Sequence, residues 1–298
     1  MSVAQAPLSD RLLIQRAARR SLPRRRIWGY VVVGLCILAA LAALSPLIAV
    51  LAYTVGRGIP AWSVDFFTQL PVPPGIPGGG ISNALVGSLI IDGIAAAMAI
   101  PFGIAAGLFL AEQTSRFANA VRFVADVLAG IPSITLGLFA YALLVVTLGH
   151  FSGFAGSFAL AILMLPVVMR TTEASIRAVS RDVWEAGAAL GGRRVQVAFR
   201  MVIPAALGGI VTGCLLGISR AVGESAPLLF TAIGSQFYSF NPGQPMAAMP
   251  LDIYQLGIQA YPQAQLTAWG TALALVVIVL LLNIGSRMLA RRLTRHAR

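Results

Sequence analysis

The chain has 298 residues, of which 58% are hydrophobic and 11% charged, with a formal charge of +12. Soluble domains carry about a quarter charged residues, so this composition cannot cover a water-facing surface and points to an all-α protein with several membrane spans. All 22 basic residues are arginine, and the absence of lysine excludes both the P-loop lysine that reaches nucleotide phosphates and Schiff-base chemistry.

In chain order, residues 1–27 form an Arg-rich arm in which Ser9 and Asp10 are placed to cap a short helix with Leu12, Leu13 and Ala17 on one face. Residues 28–54 are uncharged and make the first span, too long for a cleaved signal segment. Residues 55–80 form an outer loop whose prolines (Pro71, Pro73, Pro74, Pro77) and glycines order the approach to the second span rather than make a phosphate nest. Further spans are expected at 81–111, 121–148, 151–169 (capped by Pro166), 203–222 (opened by Pro204) and 265–286, with a long connection at 170–202 and a basic tail at 287–298. Asp92 and Asp126 lie in or near spans without a protease context, so helix-end or interhelical bonding accounts for them better. Cys36 and Cys214 sit in apolar runs and read as small buried hydrophobes rather than a disulfide. His150 in a turn and His296 in the tail give neither a zinc cluster nor a hydrolytic triad.

The arginines assign sides. Residues 1–27 carry +6, 112–122 carry +1, 170–202 carry +3 and 287–298 carry +5, so 20 of 22 arginines fall on one side of a six-span arrangement. This is the positive-inside pattern, with both termini cytoplasmic. The basic ends adjoin spans and lack interleaved aromatics, which disfavours nucleic acid and leaves anionic inner-leaflet lipid as their partner.

The connection at 170–202 carries the partner signal. Asp182 is placed to cap a short helix with Glu185 in its first turn, small residues follow, and Gly191 and Gly192 end it. Glu185, Ala186, Gly191, Met201, Ile203 and Pro204 match the spacing of the EAA signature, so the loop resembles that of binding-protein-dependent ABC importer permeases. Gly187 stands where that pattern usually has Ala, which loosens the helix by about 1 kcal/mol. By resemblance, Asp182, Glu185, Ala186, Gly187 and Gly191 couple the membrane subunit to a cytoplasmic ATPase.

The blocks Gly78-Gly79-Gly80-Ile81-Ser82-Asn83-Ala84, Ala129-Gly130-Ile131-Pro132-Ser133 and Leu165 to Glu173 resemble the phosphate-specific importer permeases, and Gly223-Glu224-Ser225-Ala226-Pro227-Leu228-Leu229 resembles their A-type subunit. The resemblance implies the type I importer-permease fold of the molybdate and methionine permeases, with residues 81–286 as core and the first span peripheral. It also implies half of a phosphate pathway, completed by a C-type permease subunit, two ATPase subunits and a periplasmic or lipid-anchored phosphate-binding protein. The chain itself would be a non-catalytic, multi-pass subunit of the bacterial inner membrane with no cofactor of its own, ATP and Mg being used by the partner ATPase. The other readings are a permease for molybdate or sulfate and, less well matched, an ATP-independent channel.

Within the spans Arg220 is the costliest residue, at about 2.5–3.5 kcal/mol for a span centre. Glu224 lies four residues on and would pair with it if the helix continued. Gly223 and Pro227 favour a bend, so Arg220, Glu224, Ser225 and Pro227 are the candidates for pathway or gate, with Glu224 tempering Arg220 so that an anion passes without being trapped. Arg170 and Glu173 read as a local i, i+3 pair with a structural or coupling role.

Overall fold

The computed structural model describes the backbone of residues 8–73, 75–76 and 78–295, and side chains from Arg26 to Gly285 within these ranges, plus Met288. The lipid-facing pattern of the arm, Pro74, Pro77, the side chains of the basic tail and His296 lie outside the described residues. The chain divides into two compact units, residues 1–55 and 56–298.

The first unit holds most of α1 (Leu8–Gly58). A separate capped helix in the arm is not formed. Leu, Ala and Arg are strong helix formers, no glycine interrupts residues 8–28, and the single Pro23 removes only one hydrogen bond, so the helix continues into the apolar run. Cys36 lies exposed on this helix rather than buried, while Cys214 is buried; both are free.

The regular structure of the second unit, among its described residues, is all helix apart from an isolated bridge between Ile233 and Met246, with turns and loops between the helices. Its elements are α2 (Val64–Thr68), α3 (Ser82–Glu112), α4 (Arg116–Gly130), α5 (Ser133–Ala140), a π-turn at Tyr141–Val145, α6 (Val146–Leu148), α7 (Gly153–Arg177), α8 (Arg181–Ala189), α9 (Arg194–Val197), a second π-turn at Ala198–Val202, α10 (Ile203–Val222), α11 (Ala226–Thr231), α12 (Met249–Gly257) and α13 (Pro262–Arg295). Among the described residues of the whole chain, five stretches are long and apolar enough to span a membrane: 26–61, 82–112, 153–177, 194–222 and 262–285.

The third expected span departs from a straight helix. Residues 116–130 and 133–148 meet at 105°, and count as a sixth span only if the bent pair is taken together. The cause is Pro132, which lacks a donor and forces Ile131 out of the helical region to φ −71°, ψ 133°. Pro166 does not end the fourth span: α7 runs eleven residues past it to Arg177. Pro204 likewise does not start the fifth, because the π-turn at 198–202 carries the helix from α9 into α10.

Helix α7 is the centre of this unit, with 67% of its apolar window buried against 28% for α3. Small residues let its neighbours come close. A Cβ on Gly103 or Gly107 of α3 would sit 2.7 Å from Val168 or 2.6 Å from Thr172. From α10, Gly209, Gly213 and Gly217 lie against Ser175, Thr171 and Val168. This four-residue spacing of small residues is how helices approach in lipid, where apolar burial alone gives no preference for a partner.

Candidate coupling surface and translocation break

Two regions collect the residues singled out by the sequence. The first is at the Arg-rich ends of α3, α4, α7 and α8. Helix α8 begins after Ser180, which takes the extended N-cap conformation (φ −60°, ψ 148°), so Asp182 sits in the first turn instead of capping it. There its charge favours the helix N-terminus through the dipole. Asp182, Glu185 and Ala186 are exposed, whereas Gly187 is buried.

Gly187 therefore does not present a docking face. A Cβ there would lie 2.6 Å from Val197 Cγ1 and 2.9 Å from Met201 Sδ, so the missing methyl lets α8 fold back on α9. Gly191 adopts φ +76° and makes the turn. Its N–H donates to Ala188 O at 2.9 Å, and Gly192 N–H donates to Gly187 O at 3.1 Å, closing the helix. Exposed Leu190, Val195 and Phe199 extend the apolar part of the surface. Beneath it lies an 800 Å³ groove whose lining includes Glu112, Arg177, Trp184, Glu185 and Arg194. The Arg194–Glu112 pair at 3.0 Å ties α9 to the end of α3.

Arg170 and Glu173 do pair, at 3.0 Å, but within a larger network. The Glu173 carboxylate, 5% exposed, also accepts from Arg122 Nε at 2.7 Å and Arg177 Nη2 at 2.9 Å. Arg170 Nη2 reaches both Asp126 oxygens at 2.7 Å. Arg122 donates further to Asn119 Oδ1 and Gln113 O, both at 2.8 Å, and to Leu110 O. Asp126 is thus explained by interhelical bonding. Sequence reasoning found the i, i+3 pair and missed Arg122, which lies 51 residues from Glu173, and Arg177, whose i, i+4 spacing to Glu173 is legible once the helix is carried past Met169. Together these groups bind α4 to α7 and both to the end of α3.

The second region is the end of α10. The helix stops at Val222, Glu224 N–H donates to Ala221 O at 3.0 Å, and α11 starts at Ala226. The break expected at Gly223 is present. Because of it Glu224 is not one helical turn beyond Arg220, and among the described residues the two form no ion pair. Arg220 is exposed, while Glu224 and Ser225 are half-buried. Pro227 is buried, and a Cβ on Gly137 of α5 would lie 2.6 Å from its Cα. The α11 turn is thereby packed onto the α5 arm of the bent pair, so the two irregular segments of the core meet.

Comparison with known proteins adds independent information. Residues 99–296 match the family model described as binding-protein-dependent transport system inner membrane component. The chain is 42% identical over 266 residues to the phosphate transport system permease protein PstA of Haemophilus influenzae, covering 89% of this chain and 94% of that protein. It is 37% identical to PstA 1 of Mycobacterium tuberculosis, covering 92% and 91%. Among solved structures, the MetNI methionine ABC transporter in an inward-facing conformation matches with TM-score 0.60 at 21% identity, over 72% of this chain and 96% of that one. A bacterial alginate ABC transporter matches with TM-score 0.60 at 14% identity, over 92% and 97%. These two show a shared fold.

Proposed function

Since the chain belongs to the binding-protein-dependent transport system inner-membrane component family, alongside the PstA phosphate permeases, we propose that it is the membrane permease subunit of an ATP-driven importer of inorganic phosphate. The observation that carries the coupling half of this reading is α8 itself. It is a short helix held outside the bundle by the Gly187 contact and the Gly191 turn, with Asp182, Glu185 and Ala186 facing outward. Such a helix offers charge and small side chains to another protein and transmits movement through α9 into α10.

In this reading the chain supplies no chemistry. ATP and Mg are used by two cytoplasmic ATPase subunits, a C-type permease subunit completes the pathway, and a periplasmic or lipid-anchored protein delivers phosphate. Both termini face the cytoplasm, as the arginine distribution supports. The exposure of Arg220, in the last turn of α10, supports a pathway formed with a partner subunit, because a guanidinium left facing lipid is costly. With Glu224 displaced by the helix break, tempering of Arg220 falls to the partner or to the anion itself.

The test is uptake of radiolabelled phosphate by cells with and without the chain, competed by sulfate and molybdate. Uptake should fall on deletion, resist both competitors, and fail to return with an Arg220→Gln chain that assembles normally. Competition by molybdate or sulfate at concentrations that match phosphate would reassign the substrate, and full rescue by Arg220→Gln would remove Arg220 from the pathway.

A further inference from the structure

A cavity of about 270 Å³ lies at the N-terminal end of α3, away from the coupling groove at its C-terminal end. It is enclosed by the glycine-rich loop before α3, the turn at 233–236, and residues of α12, α13 and the segment between them. Among the described residues, no basic side chain lines it. Its walls instead hold oxygen acceptors without partners. Asn83 is 4% exposed, and its Nδ2 donates to Ser235 O at 2.6 Å, which fixes the amide and leaves the buried Oδ1 unpaired. Gln259 Oε1 is buried and unpaired as well. Asp252 is half-buried, and among the described residues its carboxyl makes no hydrogen bond or ion pair. Burial pushes that carboxyl up to about 7.

The wall is built under strain. Ile233 takes φ +57°, a left-handed conformation that a β-branched residue rarely adopts, and its carbonyl is held by Gln255 Nε2 at 3.0 Å. Beside the mouth, Phe237 and Phe240 are 73% and 72% exposed, and Tyr238 stacks on Phe240 at 6.1 Å. Buried acceptors without donors are costly, so Asn83 Oδ1, Gln259 Oε1 and the Asp252 carboxyl ask for a donor-rich, positively charged occupant. The volume is many times what one water or one bare ion needs. A bare ion would leave most of that space to water, whereas a cationic head with its alkyl stem occupies more of it. Exposed aromatics next to a recessed polar pocket are the composition of a protein-docking surface.

We propose that this pocket receives an Arg or Lys side chain of the soluble substrate-binding protein, with Asp252, Asn83 and Gln259 as its acceptors and Phe237, Tyr238 and Phe240 as the adjoining apolar contact. The assignment rests on the importer reading above.

The test uses the complete transporter, with its partner permease and ATPase subunits, in lipid nanodiscs. The half-saturating concentration of phosphate-loaded binding protein is read from ATPase stimulation. Asp252→Asn should raise that concentration about tenfold with an unchanged maximum. Gln236→Arg, at an exposed lining position that tolerates substitution, should raise it too by placing a guanidinium of its own in the pocket. Half-saturation within about twofold of wild type in both variants would overturn the proposal. So would a wild-type value that requires added calcium or sodium, since the pocket would then be an ion site. A wild-type assembly that the binding protein never stimulates would fail the importer reading, and this proposal with it.

Discussion

Glu173 shows how one buried carboxylate can organise three helices. Its two oxygens take Arg122, Arg170 and Arg177, and Arg170 passes the connection on to Asp126. Exposed pairs of this kind are worth little, about 0–1 kcal/mol, but Glu173 and Arg122 are only 5% and 15% exposed. Removing one member of a buried pair strands the other charge and costs about 3–5 kcal/mol. Glu173→Gln should therefore lower the melting temperature of the detergent-solubilised protein markedly, while the exposed Asp126→Asn, which leaves Glu173 served by all three arginines, should lower it much less. Equal effects of the two changes would show that the network is not centred on Glu173. At this scale the sequence was readable where partners are near in number, as for Arg170 and Glu173, and silent where the fold brings them together. Arg220 and Glu224 failed in the opposite way: a four-residue spacing predicts a pair only while the helix lasts, and Gly223 ends it.

At the level of elements, spans were legible because apolar length is a strong signal, and α3 occupies residues 82–112 where a span was read at 81–111. Prolines were the weak point. Pro132 breaks its helix, whereas Pro166 and Pro204 sit within continuous helix. The difference is context: α7 packs against both α3 and α10, and a π-turn absorbs the mismatch before Pro204, while Pro132 is exposed and lies two residues after Gly130. The glycine stripe of α10 was present in the sequence as a four-residue spacing of Gly209, Gly213 and Gly217, and its meaning depends on the partner helix. Gly213→Val would drive a side chain into Thr171, an overpacking that typically costs about 1–3 kcal/mol. It should reduce thermal stability, while Gly93→Ala, where a Cβ meets nothing within 4 Å, should not. If both are neutral, α10 does not depend on this close approach to α7.

For the molecule as a whole, charge is distributed by function as well as by side. The four Arg-rich segments total +15 and the remainder −3, within a formal charge of +12. Two of these segments, 112–122 and 170–202, carry the ionic network and the coupling surface, and the far end of α3 borders a pocket that holds Asp252 and, among the described residues, no basic side chain. Composition revealed the first of these, because arginine asymmetry survives any ignorance of folding. It could not reveal the second, since Asn83, Asp252 and Gln259 are spread over 177 positions and become a site only when α3, α12 and the approach to α13 converge. The central claim is that this subunit carries phosphate only when α8 engages an ATPase. ATP-dependent accumulation of radiolabelled phosphate in proteoliposomes containing the assembled importer, wild type against Glu185→Arg, measures it directly. The account predicts that the variant accumulates almost no phosphate and loses its ATPase on purification; accumulation at the wild-type rate, or without ATP, would contradict it.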